Sequence, residues 1–165
     1  MATITFKGNP TQTSGDLPAT GAKTPDFSLV SQKLESKSLT DFAGKRLVLN
    51  IVPSVDTGIC AMSARKFNER AASLEDTIIL TISVDLPFAM GRFCAAEGIE
   101  QVEMLSGFRA DFGDAYGVGI TDGPFAGLYA RAIVVTDADH NVVYTELVPE
   151  IAQEPDYDSA LAALS

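Results

Sequence analysis

The feature that most limits what this chain can fold into is a pair of apolar runs flanking one amphipathic stretch. Residues 47–52, Leu-Val-Leu-Asn-Ile-Val, are nearly continuous in apolar side chains, the pattern of a strand covered on both faces. Residues 77–84 repeat that pattern through Ile78, Ile79, Leu80 and Ile82. Between them, over residues 58–74, Cys60, Ala64, Phe67, Ala71 and Leu74 recur at spacings of four and three, one stripe of a helical period, while Arg65, Lys66, Glu69 and Arg70 occupy the other face. Strand, helix and strand at this spacing require a right-handed crossover and a parallel pair.

The flanking sequence extends this unit. Residues 3–6 alternate polar and apolar, and Lys7-Gly8-Asn9-Pro10 carries turn chemistry, so the chain is predicted to start as a β-hairpin covering one end of the domain. Residues 15–25 read as a surface connection, 27–30 as a short strand and 38–44 as a turn. Pro87 suits the first turn of a second helix that turns Met90, Phe93 and Cys94 inward and stops at Gly98. A short strand is predicted at 101–105. The loop over 117–127 places Gly117, Gly119 and Gly123 at a spacing that misses the dinucleotide fingerprint, and no phosphate-binding lysine follows it. Residues 131–136 and 141–148 form a hairpin across Asp137-Ala138-Asp139-His140, and a helix at 157–164 closes the chain. The order βαβ then ββα predicts an α/β, thioredoxin-like fold, a central mixed sheet flanked by helices with an N-terminal β-hairpin. At 165 residues, one domain over 1–165 accounts for the chain.

Charge and cysteine content narrow the functions. A net charge of −10 repels phosphate backbones and anionic membrane surfaces, so no nucleic-acid or membrane partner is expected. No apolar run approaches the roughly 20 residues that span a bilayer, and the N-terminus alternates instead of forming a signal-peptide core, which predicts a cytoplasmic protein. In a reducing compartment the two cysteines are either buried apolar fillers or redox groups.

Pro53-Ser-Val-Asp-Thr57-Gly-Ile-Cys60 joins the first apolar run to the helix, so Cys60 falls in the first helical turn, past the carboxyl end of a buried strand. Free N–H groups and the positive end of the helix dipole favour a thiolate there. Asp56 or Thr57 caps the helix. If the strand opened by Arg131 runs antiparallel to residues 47–52, Arg131 starts at the same edge, where its guanidinium can face the thiolate and polarise a bound oxygen. The Thr57 hydroxyl can reach the same incoming group, and Pro53 shapes the floor and shields the sulfur from water. Each residue also has a plainer reading: Arg131 as a neutraliser of nearby carboxylates, Thr57 as a cap alone, Pro53 as a strand terminator and Cys94 as a filler beside Phe93. A cysteine hydrolase lacks its base, because the single histidine, His140, is expected as an exposed turn residue. Two separated cysteines and one histidine do not make a zinc set, and Thr57 stands where a Cys-x-x-Cys reductase carries its first cysteine.

The Pro53, Thr57 and Cys60 pattern, with Lys45-Arg46, Asp85-Leu86-Pro87-Phe88-Ala89, Arg92-Phe93-Cys94, Ala130-Arg131-Ala132 and Glu154-Pro155-Asp156-Tyr157, resembles the bacterial thiol peroxidases, an atypical two-cysteine branch of the peroxiredoxins. The resemblance covers nearly the whole chain. It implies that Cys60 is the peroxidatic cysteine and Cys94 the resolving one, with Thr57 and Arg131 positioning the peroxide. It further implies a Cys60–Cys94 disulfide, hydroperoxide substrates including alkyl hydroperoxides, thioredoxin as reductant, a homodimer, and no metal, haem or flavin. Because the two cysteines lie on different helices and a disulfide needs Cα atoms within about 7 Å, one or both segments must unwind on oxidation. Two other readings stand beside this one: an interaction module whose cysteines only pack, and a redox sensor that passes its disulfide to a partner.

Overall fold

The computed structural model describes residues 1–71 and 73–164. In chain order the elements are β1 (Thr3–Phe6), β2 (Asn9–Gln12), β3 (Leu29–Ser31), β4 (Ser36–Lys37), β5 (Arg46–Ile51), α1 (Gly58–Ala71), β6 (Thr77–Ser83), α2 (Pro87–Glu97), β7 (Glu103–Ser106), α3 (Phe112–Ala115), β8 (Ala132–Thr136), β9 (Val142–Leu147) and α4 (Tyr157–Ala162). Strands β3 to β9 form one mixed sheet in the order β4-β3-β7-β6-β5-β8-β9, and β1 and β2 pair separately. The two expected apolar runs are the parallel pair β5 and β6 at its centre, and β8 lies antiparallel on the other side of β5.

The alternation of β5 decides which layer each face meets. Leu47, Leu49 and Ile51 point into a core with Ile4, Phe27, Phe112, Tyr116 and Tyr129, beneath the hairpin and the loops around α3. Val48 points the other way, toward Ala64 and Phe67 of α1, Met90 and Phe93 of α2, and Ala160 of α4. Cys60, Ala64 and Phe67 are fully buried, as the helical stripe requires, and a residue such as Phe67 contributes about 1.5–3 kcal/mol by burial. Asn50 shares this face, donating to Ser63 Oγ at 3.3 Å and Thr81 Oγ1 at 3.4 Å, while its Oδ1 has no partner among the described residues.

Several expected boundaries shift. Only Lys7 and Gly8 form the first turn, both with positive φ (51° and 82°), and Asn9 and Pro10 already belong to β2. The expected helix over 58–74 is described to Ala71; the side chain of Ala71 and all of Ala72 lie outside what the structure describes, and Leu74 packs half-buried on the same core beyond the helix. The expected turn at 38–44 contains a single 3-10 turn over Leu39–Phe42, and β3 and β7 each start two residues later than predicted. His140 is half-buried instead of exposed: its φ is 62°, and Nε2 lies 3.1 Å from the Phe42 carbonyl, because the Asp137 carboxylate folds the turn back by accepting from Asp139 and Asn141. Among the described residues no helix is long and apolar enough to cross a membrane.

Candidate active site

The loop after β5 delivers the first site residue. Pro53 is buried, and Thr57 is the N-cap of α1: its Oγ1 accepts from the Cys60 amide at 3.3 Å, and its carbonyl accepts from Ala61 at 2.9 Å. Cys60 is therefore the third residue of the helix, and its side chain is fully buried. The Thr57 hydroxyl also donates to the Ser54 carbonyl at 3.2 Å. Of the two capping residues considered, Thr57 is the cap, and the same residue lines the cavity above the site.

Register delivers the second. Ala132 pairs with Ile51, which sets Arg131 just beyond the carboxyl end of β5, at the edge where α1 begins. Its guanidinium is 1% exposed and donates from Nη1 to Cys60 Sγ at 3.1 Å and from Nε to the Ile151 carbonyl at 2.9 Å. Among the described residues Arg131 forms no ion pair with a carboxylate, so the neutralising reading fails. A buried cation needs a counter-charge or strong hydrogen bonds, and the sulfur of Cys60 is the group set against this one.

The Ile151 carbonyl is a site component that no sequence pattern marked. It is held by the N-terminal hairpin: Ile151 donates to the Thr5 carbonyl at 2.8 Å, and Thr5 donates to the Pro149 carbonyl at 2.8 Å. Glu150 tightens the clamp, accepting from Gly8 N at 2.9 Å, Thr5 Oγ1 at 3.0 Å and Ala152 N at 2.8 Å. These backbone N–H groups, Ala152 first and then Gly8, hold its carboxyl below the usual range. The hairpin also brings Phe6 against Phe125 at 4.5 Å between ring centroids. Phe6, Phe125, Ile59, Met62 and Ile151 make the apolar walls of a cavity of about 500 Å³ that opens onto Thr57 and Arg131. The hairpin is thus both cover and support.

Cys94 lies elsewhere. It is buried in α2 among the core residues of that face, and the Gln32 amide, after β3, donates to its sulfur at 3.5 Å. Burial pushes its thiol above the ordinary value, and the Gln32 hydrogen bond partly opposes that. Both cysteines are free thiols. Since β5, β6 and β7 separate β8 from β3, the sulfurs are anchored to partners on opposite sides of three strands. The structure brings Cys60, Thr57 and Arg131 together, buries Pro53 in the loop that leads to them, and leaves Cys94 apart.

Residues 19–161 match the family model described as Redoxin. The chain is 56% identical over 165 residues to a protein of Corynebacterium glutamicum named thiol peroxidase, covering 100% of both, and 58% identical over 164 residues to a Mycobacterium tuberculosis thiol peroxidase, covering 99% of both. Among solved structures it is similar to a peroxiredoxin-like protein from Aquifex aeolicus (TM-score 0.94, 36% identity, 99% of this chain and 96% of that one). It is also similar to a thiol peroxidase from Chromobacterium violaceum (TM-score 0.91, 26% identity, 98% of this chain and 94% of that one).

Proposed function

We propose, from the premise that this chain belongs to the Redoxin family and is a thiol peroxidase, that Cys60 is its peroxidatic nucleophile and Cys94 its resolving thiol. The observation that carries the assignment is the 3.1 Å contact between the buried Arg131 guanidinium and Cys60 Sγ.

A hydroperoxide enters the apolar cavity with its organic group against Phe6 and Phe125. The Cys60 thiolate attacks the terminal peroxide oxygen; the O–O bond breaks, and the leaving oxygen departs as alcohol or water once it takes up a proton. Cys60 is left as a sulfenic acid, and the charge developing on the oxygens falls beside the Arg131 guanidinium, already in place, and beside the Thr57 hydroxyl, which must turn from the Ser54 carbonyl to donate. The Ile151 carbonyl keeps the guanidinium plane turned toward the sulfur. The Cys94 thiolate then attacks the sulfenic sulfur and forms an intramolecular disulfide, the S–O bond breaking to release hydroxide, which leaves as water by taking up the proton lost from the Cys94 thiol. A thioredoxin-type dithiol reduces it by exchange and returns both thiols. The active unit is a homodimer, and the two free thiols suit the reducing cytoplasm.

The test is stoichiometric. One equivalent of cumene hydroperoxide is added to the fully reduced protein, free thiols are counted, and disulfides are mapped by mass spectrometry. Loss of both thiols into a Cys60–Cys94 bond is expected, with Cys60→Ser inert and Cys94→Ser stopping at the sulfenic acid. Two surviving thiols would replace the peroxidase by a packing module. Turnover with thioredoxin, thioredoxin reductase and NADPH tests the reductant.

A further inference from the structure

Asp85 lies between the end of β6 and the start of α2, and the chemistry above leaves it without a task. Its main chain is bolted to the sheet: Ser106 Oγ donates to its carbonyl, and its amide donates to Ser83 Oγ at 3.2 Å. Its carboxylate accepts from Ser83 Oγ of that same base at 2.6 Å and, across the gap to the Cys60 loop, from Ser54 Oγ at 2.8 Å and Val55 N at 2.8 Å. Among the described residues no cation pairs with it. Hydrogen bonds to an ionised acceptor are about twice as strong as neutral ones.

Those two bonds to Ser54 and Val55 have particular weight. Among the described residues, they are the hydrogen bonds that join residues 53–57 to anything outside that loop and the turn of α1 it caps. From Ser54 the network runs inward: its carbonyl accepts from Thr57 N at 3.3 Å and Thr57 Oγ1 at 3.2 Å, and Thr57 Oγ1 accepts from Cys60 N at 3.3 Å. One carboxylate is thus connected without a break to the Cys60 backbone, and it stands two residues before the helix that carries Cys94.

We propose that Asp85 is a positioning residue, a latch that holds the Cys60 loop in its peroxide-reactive arrangement and opposes the opening that carries Cys60 to Cys94. The proposal rests on the peroxidase reading. It makes a demand that general loss of structure does not: weakening the latch must slow the first step and speed the second. Asp85→Asn tests it because asparagine keeps the shape but offers one acceptor oxygen to three donors. Ser54→Ala is the milder variant: it removes the hydroxyl's bond to the carboxylate and its bond from the Asp56 amide, and keeps the carboxylate on Val55 and Ser83.

Stopped-flow measurement separates the steps. Sulfenic acid formation with cumene hydroperoxide is followed in a Cys94→Ser background, and disulfide formation in the two-cysteine protein after a rapid oxidising pulse. For Asp85→Asn the first rate constant is expected to fall about tenfold, the size of one hydrogen bond to a charged group, while the second rises several-fold. Ser54→Ala should move both in the same directions by less, and it decides the matter if Asp85→Asn does not fold. First-step rates within twofold of the parent, or both steps slowing together, would overturn the latch. If the unmodified protein forms no Cys60–Cys94 disulfide, the peroxidase reading falls and the latch with it; if it does and the variants match it, the latch alone falls.

Discussion

The Arg131 guanidinium holds two partners at once, donating from Nη1 to Cys60 Sγ at 3.1 Å and from Nε to the Ile151 carbonyl at 2.9 Å. The second bond fixes the plane of the fork, and the first directs it at the sulfur. Arg131→Met should therefore slow the reaction of Cys60 with peroxide by about a hundredfold, the usual loss for a preorganised donor. Arg131→Lys should recover only part of it, since an ammonium on a flexible stem does not reproduce the fork. Stopped-flow loss of the Cys60 thiol in a Cys94→Ser background measures both, and full activity in Arg131→Lys would remove the fork from the argument.

Thr57 serves the helix and the cavity through one hydroxyl, which accepts from the Cys60 amide and donates to the Ser54 carbonyl. Thr57→Val keeps the shape and removes the cap, and should cost about 1 kcal/mol of stability. Thr57→Ser should restore stability and rate together. Urea denaturation with peroxidase kinetics on the pair makes the check; a Thr57→Val enzyme that loses stability but keeps its rate would confine Thr57 to capping.

Cys94 must ionise to attack the sulfenic acid, yet burial holds its thiol above the ordinary 9.0, against the smaller effect of Gln32. Disulfide formation should therefore accelerate as pH rises from 7 to 9. Gln32→Leu, which removes the donor, should slow it throughout that range, as followed by quenched alkylation and mass spectrometry. The same shift bears on stability: with the folded value raised, the contribution of Cys94 is complete below the unfolded value and is lost as pH rises through the folded one. Cys94→Ala should lessen the alkaline loss of stability of the reduced protein.

Glu150 has the opposite sign. Backbone N–H groups of Ala152 and Gly8 lower its folded value, so its contribution is present above the unfolded carboxylate value and disappears as pH falls through the lowered one. Glu150→Gln should be less stable than the parent at pH 7, with the gap closing as the solution is acidified below about 4. It should also slow the peroxide step, because the clamp positions the carbonyl that orients Arg131. Denaturation midpoints between pH 3 and 7 test the first statement, and kinetics at pH 7 the second.

The two sulfurs are held by partners beside β8 and beside β3, with three strands between, so forming their bond must disturb α1, α2 or both. Oxidation should lower amide protection in the first turn of α1, around Cys94, or in both. Hydrogen exchange read by mass spectrometry would show it, and equal protection in the two redox states would contradict it.

Much of this was legible along the chain because it depends on local periodicity. The β5–α1–β6 crossover follows from where apolar residues fall, and the position of Cys60 in the first helical turn follows from where the strand must stop. Arg131 was placed at the same edge by element order alone, since an antiparallel neighbour of β5 has to begin where β5 ends. Asp85 and Glu150 were not legible as parts of the site. Their carboxylates act on backbone and serines 30 or more residues away in one case and 142 in the other, and no local pattern records such a bond. His140 was misplaced for the same reason, because its partner, the Phe42 carbonyl, is 98 residues distant.

The amino-acid sequence by itself determined the layered α/β plan, the capped helix start that receives Cys60, and the chemical character of the cysteine, threonine and arginine, because each depends on neighbours within a few turns of chain. Only the tertiary structure decided that Arg131 meets the sulfur with no competing carboxylate among the described residues, that the hairpin's hold on Ile151 aims it, and that Cys94 is buried out of the assembled site. Those outcomes depend on sheet register and on loop closure over a hundred residues, where one strand out of place would set every partner on the wrong face.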